Sequence, residues 1–117
     1  MLKPTKLAKN NFLSSLDMSS EEVLHILELA KDLKKKDINI EFKNKVLGLV
    51  FDKSSTRTRV SFQVAMSRLG GTTIDLNPST SQIGRGEPIK DTARVLSRYC
   101  DVIAIRTFNH HDLEEYA

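Results

Sequence analysis

The chain has 117 residues, of which 39% are apolar and 28% charged, with a formal net charge of +3 and a single cysteine. That balance suits a globular chain with material for one core and one domain at most, and one thiol excludes an internal disulfide framework. No apolar run approaches the roughly 18–20 residues that span a bilayer, and no apolar signal core follows the early lysines, so a cytoplasmic setting is expected. Residues 1–60 carry twelve basic and eight acidic groups, and residues 61–117 carry six and seven. The excess therefore sits in the first half, with no basic stripe interleaved with aromatics of the kind that binds nucleic acid.

Residues 1–18 are polar with scattered anchors, Leu2, Leu7, Phe12, Leu13 and Leu16, and read as a packed arm. Ser19-Ser20-Glu21-Glu22 then forms a capping box, in which Ser19 is the N-cap and Glu22 reaches back from the third helical position. Behind it Val23, Leu24, Ile26, Leu27, Ala30 and Leu33 recur every three or four residues, which predicts a helix over 20–35. Lys34, Lys35 and Lys36 at its end complement the helix dipole. A polar connection follows, and Val46-Leu47-Gly48-Leu49-Val50-Phe51 is a continuous apolar run that suits a strand buried on both faces of a parallel sheet.

That strand runs directly into Phe51-Asp52-Lys53-Ser54-Ser55-Thr56-Arg57-Thr58-Arg59-Val60-Ser61-Phe62. Apolar spacing at Val60, Val64, Met66 and Leu69 predicts a helix over 56–69, stopped by Gly70 and Gly71. The first turn of a helix leaves backbone N–H groups without partners and carries partial positive charge, so it favours an anion. Ser55 is the natural N-cap, Thr56 and Thr58 can donate hydroxyls, and Arg57 offers the planar fork that fits two phosphate oxygens. Arg59, at about 100° per residue, points well away from Arg57, towards neighbouring chain or another subunit. Ser and Thr cap helices routinely, and first-turn arginines commonly just face water. Two arginines there nevertheless oppose the dipole by roughly 0.3–1 kcal/mol each, a conflict that a shared anion would remove.

Thr72-Thr73-Ile74-Asp75-Leu76 is the second strand, so strand, helix and strand make a right-handed βαβ unit. Residues 77–88 form a loop rich in Ser, Gly and Pro, long enough to suggest function rather than connection alone. Pro88 stands near the start of a helix over 88–98, with Ile89, Ala93, Val95 and Leu96 apolar and Arg94 and Arg98 solvated. Asp101-Val102-Ile103-Ala104-Ile105 is the third strand and delivers Arg106 at its carboxyl end. Ligands in open α/β sheets collect at that edge, so Arg106 lands on the same rim as Arg57. Asn109 caps a last helix containing Leu113 and Tyr116. Cys100 reads as a packed, inert thiol. His25, His110 and His111 share no ligand spacing, and no metal site is assigned.

The run Phe51-x-Lys53-x-Ser55-Thr56-Arg57-Thr58-Arg59-x-Ser61-Phe62 resembles the carbamoyl-phosphate signature of the transcarbamoylases. Lys53 two residues after Phe51 is similar to the ornithine branch, whereas the aspartate branch usually has Glu-Pro before its Ser-Thr-Arg-Thr-Arg. The resemblance extends through Asn11-Phe12-Leu13-Ser14, through Gly86-Glu87-Pro88 to Ser97, and through Ile105-Arg106-Thr107-Phe108. It implies a three-layer αβα fold with a parallel sheet, and transfer of a carbamoyl group from carbamoyl phosphate to ornithine with no cofactor. By the same resemblance Ser55, Thr56 and Arg57 would hold phosphate, with Arg57 bridging to the carbonyl, and Thr58 and Arg106 would stabilise the carbonyl oxygen. Gln82 matches a residue that reaches the active site of the adjacent subunit, and the complete family members are expected to be trimers. Residues 1–117 are then expected to be an incomplete carbamoyl-phosphate-binding domain. The His-Pro-x-x-Gln-like segment and the ornithine-binding domain lie outside this sequence, and the piece alone is expected to be inactive. The alternatives are a transcarbamoylase for another amine or amino acid, and a non-catalytic phosphate-binding module.

Overall fold

The computed structural model describes residues 6–35, 40–51, 55–77, 86 and 88–117. They belong to two compact units, Met1–Asn39 and Ile40–Ala117.

The first unit holds a short 3-10 turn, Ser15–Asp17, and helix α1, Ser20–Lys35. The turn, which the sequence pattern did not signal, is fixed by Asp17, whose carboxylate accepts the backbone N–H of Leu13 at 2.8 Å and of Ser14 at 3.2 Å. The capping box forms as expected: Ser19 Oγ accepts from Glu22 N at 3.1 Å, and Ser19 N donates to Glu22 Oε1 at 2.9 Å. Glu22 Oε2 also accepts from Ala8 N at 3.0 Å, which ties the preceding arm to the helix start. The apolar stripe of α1 stays uncovered, with Val23, Leu24, Ile26, Leu27 and Leu33 all exposed. Periodicity created that stripe, but nothing in this unit is large enough to cover it.

The second unit is a three-stranded parallel sheet with helices. Its strands are β1 (Val46–Phe51), β2 (Thr72–Leu76) and β3 (Val102–Arg106), in spatial order β2-β1-β3. The continuous apolar strand thus takes the centre, and Leu47 to Phe51 are all buried. Helix α2, Thr56–Arg68, connects β1 to β2, and α3, Ile89–Tyr99, connects β2 to β3. Parallel crossovers are almost always right-handed, and these two leave in opposite directions across β1, so they carry α2 and α3 to opposite faces. Alternation along β1 agrees. Leu47, Leu49 and Phe51 form one cluster with Met66 of α2, while Gly48 on the other face abuts Cys100 and Ile103.

Some boundaries and faces move from their expected places. The third strand is displaced by one residue, because Asp101 turns out of it and accepts Val46 N on its carboxylate at 2.8 Å. Asp101 N in turn donates to Val46 O at 2.9 Å. Pro88 lies outside α3, as its N-cap, and its carbonyl accepts from Asp91 and Thr92. In α2, Val60 and Val64 are exposed and Met66 is buried. At 100° per residue Arg59, Phe62 and Met66 share one stripe, along which Met66 is buried and the partly exposed Phe62 and Arg59 touch Phe51 of the sheet. A fourth helix, α4, His110–Tyr116, is capped by Asn109, whose side chain accepts from His111 N at 2.9 Å. No helix among the described residues is long and apolar enough to cross a membrane.

Candidate functional site

In the order β2-β1-β3 the connections from the central strand β1 change sides, and ligands of open α/β sheets collect beyond the carboxyl ends of the strands at such a point. The register sets Phe51, the last residue of β1, opposite Arg106, the last of β3. Arg106 Nη1 donates a hydrogen bond to Ser55 Oγ. Two groups 51 positions apart in sequence therefore meet on the expected rim.

Ser55 occupies the N-cap position of α2, and its carbonyl accepts the first helical bond, from Arg59 N, at 2.9 Å. Its side chain makes no capping bond, which corrects the expectation of a hydroxyl cap. The reason is tertiary: the hydroxyl is buried and already accepts the arginine of another strand. The first turn of α2 consequently has no side-chain cap and no acidic residue. Thr56, Arg57 and Thr58 are all exposed there, and Arg57 has no ion-pair or hydrogen-bond partner among the described residues. Uncapped N–H groups, a free guanidinium, two hydroxyls and a second arginine tethered at Ser55 make a corner suited to an anion. Gln82 and Lys53 lie outside the described residues.

Arg59 does not join that corner. Its Nε lies 3.1 Å from Asp75 Oδ1 of β2, and its guanidinium carbon sits 5.6 Å from the centre of the Phe51 ring. Phe51 in turn meets Phe62 edge-on, with ring centres 6.3 Å apart and planes at 71°. The expectation that Arg59 turns away from Arg57 holds, and its partners lie within this chain. Asp75, the lone carboxylate in the otherwise uncharged strand β2, is the one signal of that pairing legible in the sequence.

Cys100 is half-buried at the end of α3, and burial followed by the neighbouring Asp101 charge pushes its thiol above the ordinary value, so it is a poor nucleophile. His110 and His111 are exposed and face Glu114 and Glu115 one turn on, at 3.7 and 3.5 Å.

A parallel α/β sheet with an arginine-lined helix start at its switch point places the chain among the α/β domains suited to an anion at that edge. Residues 10–117 match the family described as aspartate/ornithine carbamoyltransferase, carbamoyl-P binding domain, and the chain belongs to that family. Within it the chain is similar to ornithine carbamoyltransferases. It is 81% identical over all 117 residues to that of Prochlorococcus marinus (strain MIT 9312), covering 38% of that protein. To that of Parasynechococcus marenigrum (strain WH8102) it is 61% identical over 111 residues, 95% of this chain and 35% of the relative. The solved ornithine carbamoyltransferase from Pyrococcus furiosus superposes with a TM-score of 0.85 at 45% identity, over 97% of this chain and 37% of that one. The aspartate transcarbamoylase from Trypanosoma cruzi, solved with carbamoyl phosphate and aspartate, gives a TM-score of 0.80 at 28% identity, over 94% and 38%. The chain thus spans less than two-fifths of the length of these relatives.

Proposed function

We propose that this chain supplies the carbamoyl-phosphate corner of an ornithine carbamoyltransferase, which moves the carbamoyl group of carbamoyl phosphate to the side-chain amine of ornithine. The observation that carries the reading is Arg106 bonded to Ser55 at the uncapped start of α2. The free N–H groups, Ser55, Thr56 and Arg57 hold the phosphate, and Arg57 bridges to the carbonyl. Thr58 and Arg106 stabilise negative charge on the carbonyl oxygen as the deprotonated amine attacks. The new C–N bond forms, the bond from carbon to the phosphate oxygen breaks with its electron pair going to that oxygen, and the proton lost from nitrogen passes to the departing phosphate as citrulline leaves. No covalent enzyme intermediate is needed, so positioning and fixed charge supply the acceleration. Gln82 completes the site of an adjacent subunit in a trimer, and the setting is cytoplasmic arginine metabolism. Residues 1–117 form an incomplete carbamoyl-phosphate-binding domain, and the ornithine-binding domain lies in the remaining length of its relatives.

Two measurements test this reading. In a complete carbamoyltransferase carrying this segment, Arg57→Ala or Arg106→Ala lowers kcat by at least about 100-fold, the scale set by removing one donor from an oxyanion site. Near-parental turnover in either variant would remove that residue from its role. Incubated alone with carbamoyl phosphate and ornithine, the 117-residue chain makes no citrulline, and detectable citrulline would overturn its assignment as an incomplete site.

A further inference from the structure

The first turn of α2 carries two arginines, and the carbamoyl-phosphate reading uses one. Arg59 is shielded from that ligand: its side chain is 22% exposed, and its Nε is inaccessible to solvent. That Nε makes no hydrogen bond, so its 3.1 Å approach to Asp75 Oδ1 is an ionic contact. A buried guanidinium nitrogen left without a hydrogen bond is unfavourable, and such a group persists where the surrounding structure holds it.

Its neighbours show what it is held against. Asp75 belongs to β2, where it pairs in register with Leu49, and Phe51 ends β1. The backbone N–H of Arg59 makes the bond that starts α2, to Ser55 O, and the Ser55 hydroxyl receives Arg106 from β3. One residue thus connects the ends of β1 and β2 to the serine that meets β3. Arg57 lies about 160° around the helix from Arg59, so seating Arg59 against the sheet turns Arg57 outward.

We propose that Arg59 is a positioning residue: braced between Asp75 and the Phe51 ring, it fixes the first turn of α2 so that Ser55 meets Arg106 and Arg57 is presented to the anion. The proposal rests on the carbamoyl-phosphate reading of that corner. Asp75 has a matching part, since it neutralises the second cation at the helix start. The positive charge left to the ligand is then that of Arg57 and Arg106.

The test uses a complete carbamoyltransferase carrying this segment, with Arg59→Gln, Arg59→Lys and Asp75→Asn, and Arg94→Gln as an exposed-arginine control. Two readouts are taken: solvent exchange of the Arg106 guanidinium protons in the ligand-free chain, followed by NMR, and the affinity for carbamoyl phosphate. Arg59→Gln and Asp75→Asn should speed Arg106 proton exchange and weaken carbamoyl phosphate binding, each by about tenfold. Arg59→Lys keeps the charge but loses the planar group over Phe51, and should fall between Gln and parent. Arg94→Gln should match the parent. If Arg59→Gln does not fold, the other two variants decide. Folded variants with parental Arg106 exchange overturn the proposal. A complete parent enzyme that binds no carbamoyl phosphate defeats the functional reading instead, and the exchange measurement still decides the role of Arg59.

Discussion

Placing a methyl group on Gly48 tests how closely β3 is drawn against the central strand. A Cβ built there would lie 3.0 Å from Cys100 Sγ and 3.6 Å from Ile103 Cγ1. Nonbonded carbons prefer roughly 3.5–4.0 Å, so the sulfur is the obstacle and Ile103 is not. Overpacking of this kind costs about 1–3 kcal/mol, against about 0.5–1 kcal/mol gained by replacing a flexible strand glycine, so Gly48→Ala should destabilise the chain by about 1–2 kcal/mol. Cys100→Ala removes the sulfur and leaves a Cβ 3.8 Å from the new methyl, an ordinary contact. In that background Gly48→Ala should be neutral or mildly stabilising, a coupling of about 1–2 kcal/mol between the two sites. Urea melts of the four proteins, followed by circular dichroism, give the coupling from their midpoints at a common slope. Additivity within about 0.5 kcal/mol would show that the sulfur does not limit the approach, and would refute the reasoning.

Two further outcomes can be measured on the same chain. Leu49 is 0% exposed and lies in register between Asp75 and Ala104, so Leu49→Ala should cost about 2–5 kcal/mol in the same melts, and less than about 1 kcal/mol would contradict its place at the centre of the core. Glu22 is held below the ordinary carboxylate range first by the Ser19 N–H and then by that of Ala8, and Asp17 first by the Leu13 N–H and then by Lys9. A carboxylate with a depressed folded-state pKa contributes stability above its unfolded value and loses it as pH falls through the folded one. The α1 signal should therefore weaken below about pH 4, and Glu22→Gln should flatten that titration. An acid profile unchanged by the substitution would exclude Glu22 as its source.

Local chemistry alone settled several elements. The Ser19/Glu22 box placed the start of α1, because its two bonds join residues three apart. The unbroken apolar run from Val46 to Phe51 identified the central strand, since only burial on both faces tolerates it. The Ser-Thr-Arg-Thr-Arg segment pointed to an anion corner, because two arginines at a helix start otherwise conflict with its dipole. Arg106 was placed at the same sheet edge by the direction of parallel strands.

The remainder depended on partners brought from far along the chain. The Ser55 hydroxyl could have capped its own helix, and only the arrival of Arg106 on β3 took it for another bond. Apolar spacing pointed to Val60, Val64 and Met66, yet of these the sheet buried only Met66 and brought Phe62 against Phe51, because the orientation of a helix depends on the surface beneath it. Arg59 found Asp75 and Phe51 only when β2 settled beside β1. Sequence thus determined which groups could bind an anion, through bonds and periodicities within a few residues. Tertiary structure decided which of them were free to do so, because strand order and register select each side chain's partner from distant parts of the chain.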